Sequence, residues 1–136
     1  MIRGLRVDPS DATPIWRQIE DGVRRLAASR GLAPGEVLPS VRDLARALRV
    51  NPATVAKAYQ RLTDAGVLTV RRGEGTYVAE TPPTLARADR KRILEEGAER
   101  FVSMAVTVGA SSEETASAVT SAWARLTGAA TRRSRT

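Results

Sequence analysis

Three clusters in the chain carry side chains suited to binding a polyanion. Ser40 and Arg42 stand at the start of a helix-patterned segment. Free backbone amides and the positive end of a helix dipole attract a phosphate there, and Arg42 adds a guanidinium fork. The same pair also reads as an ordinary capping serine beside a solvated arginine. Asn51, Pro52, Ala53 and Thr54 open a further helix. Asparagine and threonine there can meet base edges or phosphates and alanine a thymine methyl, although Asn51 equally serves its own helix as a cap. Lys57, one turn on and opposite Val55 and Leu62, reaches either a phosphate, a guanine or solvent. Tyr59 borders the apolar face, either packed with its hydroxyl at the edge or in contact with the polyanion. Arg71, Arg72, Gly73, Gly75 and Thr76 make the third cluster, in which missing side chains let the backbone approach a groove closely. Its bland reading is a mobile turn with spare charge.

Catalytic chemistry has little to work with. The chain of 136 residues contains no cysteine and no histidine, which excludes thiol catalysis, histidine triads and the usual zinc sites. Asp43, Asp64, Glu74, Glu95, Glu96 and Glu99 are interspersed with arginines and read as a solvated face. Gly73-Glu74-Gly75 lacks the third glycine of a nucleotide loop and joins two strand-like runs. Trp16 and Trp123 fall at core spacing, as packing residues instead of cofactor platforms. No enzyme activity, cofactor or metal is expected.

Basic side chains number 22 against 15 acidic ones, for a net charge of +7 and a pI near 11.1. Such a balance favours a polyanionic partner without naming it. Twenty of the basic residues are arginine, which suits bidentate recognition and equally fits the codon bias of a GC-rich genome. The opening MIRGLRVDPSDATP has no apolar signal core, so a cytoplasmic location is expected, without membrane contact.

The elements that must position these clusters follow from periodicity. Thr13-Pro14 reads as a cap followed by proline at the first helical position, and Ile15, Ile19, Val23, Leu26 and Ala27 continue a helix to about Ser29. Gly31, Pro34 and Gly35 mark a loop. Ser40 then caps a second helix, with Asp43 at the capping-box position and Val41, Leu44, Ala45 and Leu48 on one face. Only Val50 separates its end near Arg49 from Asn51-Pro52, where a third helix starts with Val55, Ala58, Tyr59 and Leu62 as its apolar face. After Gly66, residues 67–71 and 76–79 read as strands around a basic loop at 72–75. Three helices, two of them meeting at a tight turn, and then a hairpin give the order of a winged helix-turn-helix. Beyond Thr81-Pro82-Pro83, a helix of roughly six turns carries Leu94, Ala98, Phe101, Val102, Ala105 and Val108 to a stop at Gly109. Ser111 and Glu114 form a capping box for a last helix with Ala116, Val119, Trp123 and Leu126 on one face up to Gly128. Two helices of this size enclose no deep cavity, and their apolar faces call for a dimer.

The segment LPSVRDLARALRVNPATVAKAYQRLTDAGVLTVRRGEGTYVA, Leu38 to Ala79, resembles the DNA-binding head of the GntR family position for position, and the resemblance extends over about residues 7 to 80. Trp16 departs from it by standing where these heads more often have tyrosine. The resemblance implies a bacterial transcription factor that binds an inverted-repeat DNA operator as a homodimer. Carried over to this sequence, its contact positions are Arg42, Asn51, Pro52, Ala53, Thr54, Lys57, Arg72 and Gly73. Pro52 and Ala53 replace side chains that bond DNA in some relatives, so base reading cannot be copied. The short tail resembles that of the YtrA subfamily, which implies dimerisation through two helices and repression beside transporter operons. The expected architecture is mainly α with a small β-hairpin: a winged helix-turn-helix DNA-binding domain (1–80), a linker (81–84), a two-helix dimerisation region (85–128) and a disordered basic tail (129–136). Leu94, Ala98, Phe101, Val102, Ala105, Val119, Trp123 and Leu126 are the expected dimer contacts. The competing reading is a winged-helix module that binds a protein partner without specific DNA binding; any small-molecule effector stays open.

Overall fold

In a computed structural model, described over residues 2–81 and 87–127, the elements run α1 (Ile15–Ser29), α2 (Val41–Leu48), α3 (Pro52–Asp64), β1 (Leu68–Arg71), β2 (Gly75–Val78), α4 (Arg87–Thr107) and α5 (Ser112–Thr127). The chain forms two compact units, one of residues 1–83 together with 125–136 and the other of residues 84–124. Three helices and an antiparallel hairpin in this order form a winged helix-turn-helix, followed by two further helices.

The first unit is built on the apolar stripes of α1, α2 and α3. Ile19, Val23 and Leu26 from α1, Leu44 and Ala45 from α2, and Val55, Ala58, Tyr59 and Leu62 from α3 are buried together. Val67, Leu68 and Val78 close this core from the hairpin. At α1 the start differs from expectation by one residue: Pro14 is the cap, and its carbonyl accepts from the Arg17 and Gln18 amides. Thr13 instead offers its carbonyl to the Gln18 side chain, which also exchanges two hydrogen bonds with the Asp8 backbone. Gln18 thereby fastens the N-terminal segment, and Ile2 and Leu5 enter the core. Leu5 lies against Gly22 of α1, where a Cβ would overlap its side chain.

The turn between α2 and α3 is as tight as its sequence implies. Arg49 adopts a left-handed conformation (φ 59°), and the Val50 amide returns to the Ala45 carbonyl. Asn51 then caps α3 through a 2.8 Å bond from the Ala53 amide, with Pro52 first in the helix. Gly66, at φ 80°, carries the chain out of α3 into β1. The hairpin pairs Leu68 with Val78 and Arg71 with Gly75, so its loop is Arg72–Glu74, one residue shorter than expected. On its other edge β2 meets the loop after α1: Val37 bridges Tyr77, and amide bonds join Leu38 to Thr76 and Val78 to Glu36. This isolated bridge lies in a stretch that the sequence reading left as loop, and it leaves Val37 exposed while Leu38 is buried.

In the second unit Ser111 and Glu114 exchange both capping-box bonds, at 2.9 and 3.1 Å, and Gly109 sits at φ 79° between the helices. Ion pairs three and four residues apart, Arg92 with Asp89 and Glu96 and Lys91 with Glu95, solvate one face of α4. Among the described residues of α4 and α5 only Ala105 is buried. The expected linker falls largely, and the basic tail and Gly128 entirely, outside the described residues.

Leu62 is wholly buried between the helices. Leu62→Ala is expected to lower unfolding free energy by about 2–5 kcal/mol, measured by urea denaturation, since the packed helices cannot collapse fully into the cavity.

Candidate nucleic-acid interface

The segment Leu38–Ser40 joins the three clusters. On one side the Leu38 amide bonds the Thr76 carbonyl of β2 at 2.8 Å; on the other, the Tyr59 hydroxyl of α3 donates to the Pro39 carbonyl at 2.8 Å. Ser40, next in the chain, caps α2 by accepting the Asp43 amide at 3.1 Å. The hairpin, the start of α2 and the body of α3 are therefore fastened to three consecutive residues.

Tyr59 is a strut, not a surface contact. It is buried, its hydroxyl is spent on Pro39, and burial pushes that hydroxyl well above the usual tyrosine range. The reading of Tyr59 as a contact with the polyanion is corrected accordingly. The remaining positions of the first two clusters are accessible. Ser40, Arg42, Asn51, Pro52, Ala53 and Lys57 are exposed, and Thr54 is half-buried. Arg42 and Lys57 have no carboxylate partner among the described residues, whereas Asp43 faces Arg46 at 3.6 Å. The Asn51 side-chain oxygen is committed to its cap, which leaves its amide group as the donor. Ala56 and Gln60, which the sequence reading passed over, are also exposed on α3. Their signal was available: both lie on the face opposite Val55, Tyr59 and Leu62.

In the hairpin the two arginines separate. Arg71 stacks on the Tyr77 ring at 4.1 Å and lies 3.7 Å from Glu80, which fixes it along the sheet. Arg72 carries no such pairing among the described residues and is exposed at the tip beside Gly73. Gly73 and Gly75 take φ values of 79° and 128° with open space where a Cβ would be, so glycine is required by backbone conformation and leaves the tip bare. Thr76 is half-buried within β2. Glu74 shares the tip and offsets part of its charge.

The expected dimer contacts fall in two groups. Leu94, Ala98, Val102, Val119, Trp123 and Leu126 are exposed and Phe101 is half-buried. Ala105 is buried within its own chain and is corrected out of the contact set. Trp123, expected in the core, is 65% exposed. Ile93, Met104 and Val106, which lie off the single stripe read from the sequence, are exposed as well. An open groove of about 610 Å³ is lined by Arg87, Arg90, Lys91, Ile93, Leu94 and Trp123. No helix among the described residues is long and apolar enough to cross a membrane.

A helix-turn-helix fastened to a glycine-tipped hairpin, with exposed unpaired cations on both, defines a winged-helix regulator of transcription. Residues 16–78 match the model of bacterial regulatory proteins of the gntR family. The chain is 35% identical over 98 residues to the HTH-type transcriptional repressor YtrA of Bacillus subtilis, covering 72% of this chain and 75% of that protein. It is 34% identical over 101 residues to the uncharacterized regulator YhcF of the same organism, covering 74% and 83%. Among solved structures, YtrA of Sulfolobus acidocaldarius, a GntR-family transcription factor, superposes with a TM-score of 0.54 at 36% identity over 70% of this chain and 97% of that one. A protein from Listeria monocytogenes described as a transcriptional antiterminator gives 0.68 at 25% identity over 88% and 90%. The chain belongs to the GntR family, as a YtrA-like regulator and not an enzyme.

Tyr59→Phe separates the strut from the surface. The variant is expected to lose about 0.5–1.5 kcal/mol of stability at neutral pH, read by urea denaturation, with DNA affinity unchanged. Because burial keeps the phenol neutral, its share of stability is full below the ordinary tyrosine value near 10 and is lost as pH rises beyond it. The phenylalanine variant should therefore show a shallower alkaline decline.

Proposed function

We propose that the protein is a cytoplasmic, homodimeric repressor that binds an inverted-repeat DNA operator. The observation that carries this reading is the fastening of the α2 start, α3 and the hairpin to Leu38–Ser40, with Arg42, Lys57 and Arg72 exposed and free of carboxylates among the described residues. In this reading the N-terminal end of α3 enters the major groove. Asn51, Pro52, Ala53 and Thr54 face base edges, while Lys57 takes a phosphate. Ser40 and Arg42 clamp a phosphate at the start of α2. Arg72, with Gly73 and Gly75, enters the adjacent minor groove, and Arg71 and Thr76 back it from the strands. The small apolar side chains of Pro52 and Ala53 read shape and a thymine methyl instead of hydrogen-bonding.

The partner that covers α4 and α5 is a second copy of the chain. Leu94, Val102, Val119, Trp123 and Leu126 are apolar and exposed in one protomer, a surface of the kind that a water-soluble chain buries on assembly. Two copies related by a two-fold axis present two recognition helices to half-sites about one DNA turn apart.

Fluorescence anisotropy over a salt series, with the duplex upstream of the chain's own gene and a shuffled control, tests the whole reading. The expected result is specific binding at least about a thousandfold tighter than the control. Arg42→Ala and Arg72→Ala are each expected to weaken it by about 1–3 kcal/mol with folding intact. Absence of binding to either duplex at low salt would favour the protein-partner reading instead. Trp123→Ala is expected to shift the protein from dimer toward monomer in sedimentation equilibrium, and a variant that stays fully dimeric at the same concentrations removes α5 from the interface.

A further inference from the structure

Trp16 occupies a place between α1 and α3 that core packing alone does not explain. It is only half-buried, and two cations share its ring: the Lys57 ammonium lies 4.3 Å and the Arg61 guanidinium carbon 4.8 Å from the ring centre. Two like charges brought to one ring repel, so a counter-charge beside either of them favours the arrangement. Glu20 supplies it to Arg61 alone, accepting from Nε at 3.0 and 3.4 Å while its carboxylate is 7% exposed. Arg61 is thereby neutralised and fixed. Lys57 is left ordered on an aromatic face, exposed, and without a carboxylate among the described residues. The ring binds the ammonium through one side of its charge and leaves N–H donors for an oxygen acceptor.

We propose that Trp16 is a positioning residue for DNA binding, which holds Lys57 on α3 for a backbone phosphate. The inference rests on the DNA-binding reading above and adds a residue of α1 to it. A free lysine side chain gives up rotamer freedom when it settles on a phosphate. Stacking on Trp16 removes part of that freedom before DNA arrives, and the Glu20–Arg61 pair keeps the ring from being shared with a second uncompensated charge. A phosphate is the fitting occupant because the ammonium is a compact point charge that offers no base-specific fork.

The test is a double-mutant cycle on the full chain: wild type, Trp16→Leu, Lys57→Met and the double variant, each titrated by anisotropy against the upstream duplex and a random 30-bp duplex across a salt series. Lys57→Met is expected to weaken both duplexes about fivefold and to reduce the slope of log affinity on log salt by about one. Trp16→Leu is expected to show most of that loss, the double variant to be no weaker than Lys57→Met, and Trp16→Tyr, which keeps an aromatic face, to recover most of the affinity. Thermal unfolding of each variant separates a folding defect, and Trp16→Met, flexible and apolar but without a ring, carries the cycle if Trp16→Leu does not fold. Losses that simply add, or an unchanged salt slope in Lys57→Met, overturn the positioning role while leaving specific binding by the wild type intact. Failure of the wild type to bind either duplex overturns both readings.

Discussion

The constraint on which the rest of the winged head depends is the double fastening of Leu38–Ser40. A loop between two helices ordinarily has freedom to drift, because its backbone groups can satisfy themselves with water. Here the Leu38 amide and the Pro39 carbonyl are both committed to protein partners, one in β2 and one on α3. Leu38 itself is buried in the common core. The start of α2 therefore cannot move without pulling either the hairpin or α3 with it. Preorganisation of this kind lowers the ordering cost of binding an extended polyanion, which touches several elements at once.

Charge is arranged around that frame in two ways. Some cations are spent on structure: Arg61 on buried Glu20 and Arg71 on Tyr77 and Glu80. Others, Arg42, Lys57 and Arg72 among them, are left without carboxylates among the described residues. A net charge of +7 alone would say little about where a polyanion binds. The division of labour says more, since a neutralised arginine adds rigidity and an unpaired one adds phosphate affinity and salt dependence. Glu20 matters for the same reason: a buried carboxylate stripped of its arginine is strongly destabilising, so Arg61 is held to one role.

Much of the head was legible because its signals are local. Caps at Ser40 and Asn51, proline at the first position of α3, and glycines at the hairpin each act within a few residues. What escaped depends on contacts distant in sequence. The strand-like pairing of Val37 with Tyr77 is set by where β2 lies, and the entry of Ile2 and Leu5 into the core by the space that Gly22 leaves. Tyr59 sits at the margin of an apolar stripe, where periodicity cannot tell a buried hydroxyl from a surface one; only the Pro39 carbonyl decides it. Trp16 shows the same limit from the other side, since core spacing assigned it to the core, where it is only half-buried at the margin, and was silent about the cations on its ring.

The two-helix unit shows why pattern and burial must be read separately. The Ser111–Glu114 box and Gly109 make the turn between α4 and α5, yet the apolar side chains read as a stripe on these helices are mostly exposed in the single chain. Helices of 21 and 16 residues draw little stability from propensity alone and mostly rely on packing an apolar face. In the proposed dimer that packing comes from the second copy, which makes the folding of this unit and assembly one process. Regulation could then act without a deep ligand pocket, because anything that alters the pairing of α4 and α5 changes how many recognition helices one protein brings to the DNA. A two-fold operator rewards both heads together, so modest changes in dimer affinity become large changes in occupancy.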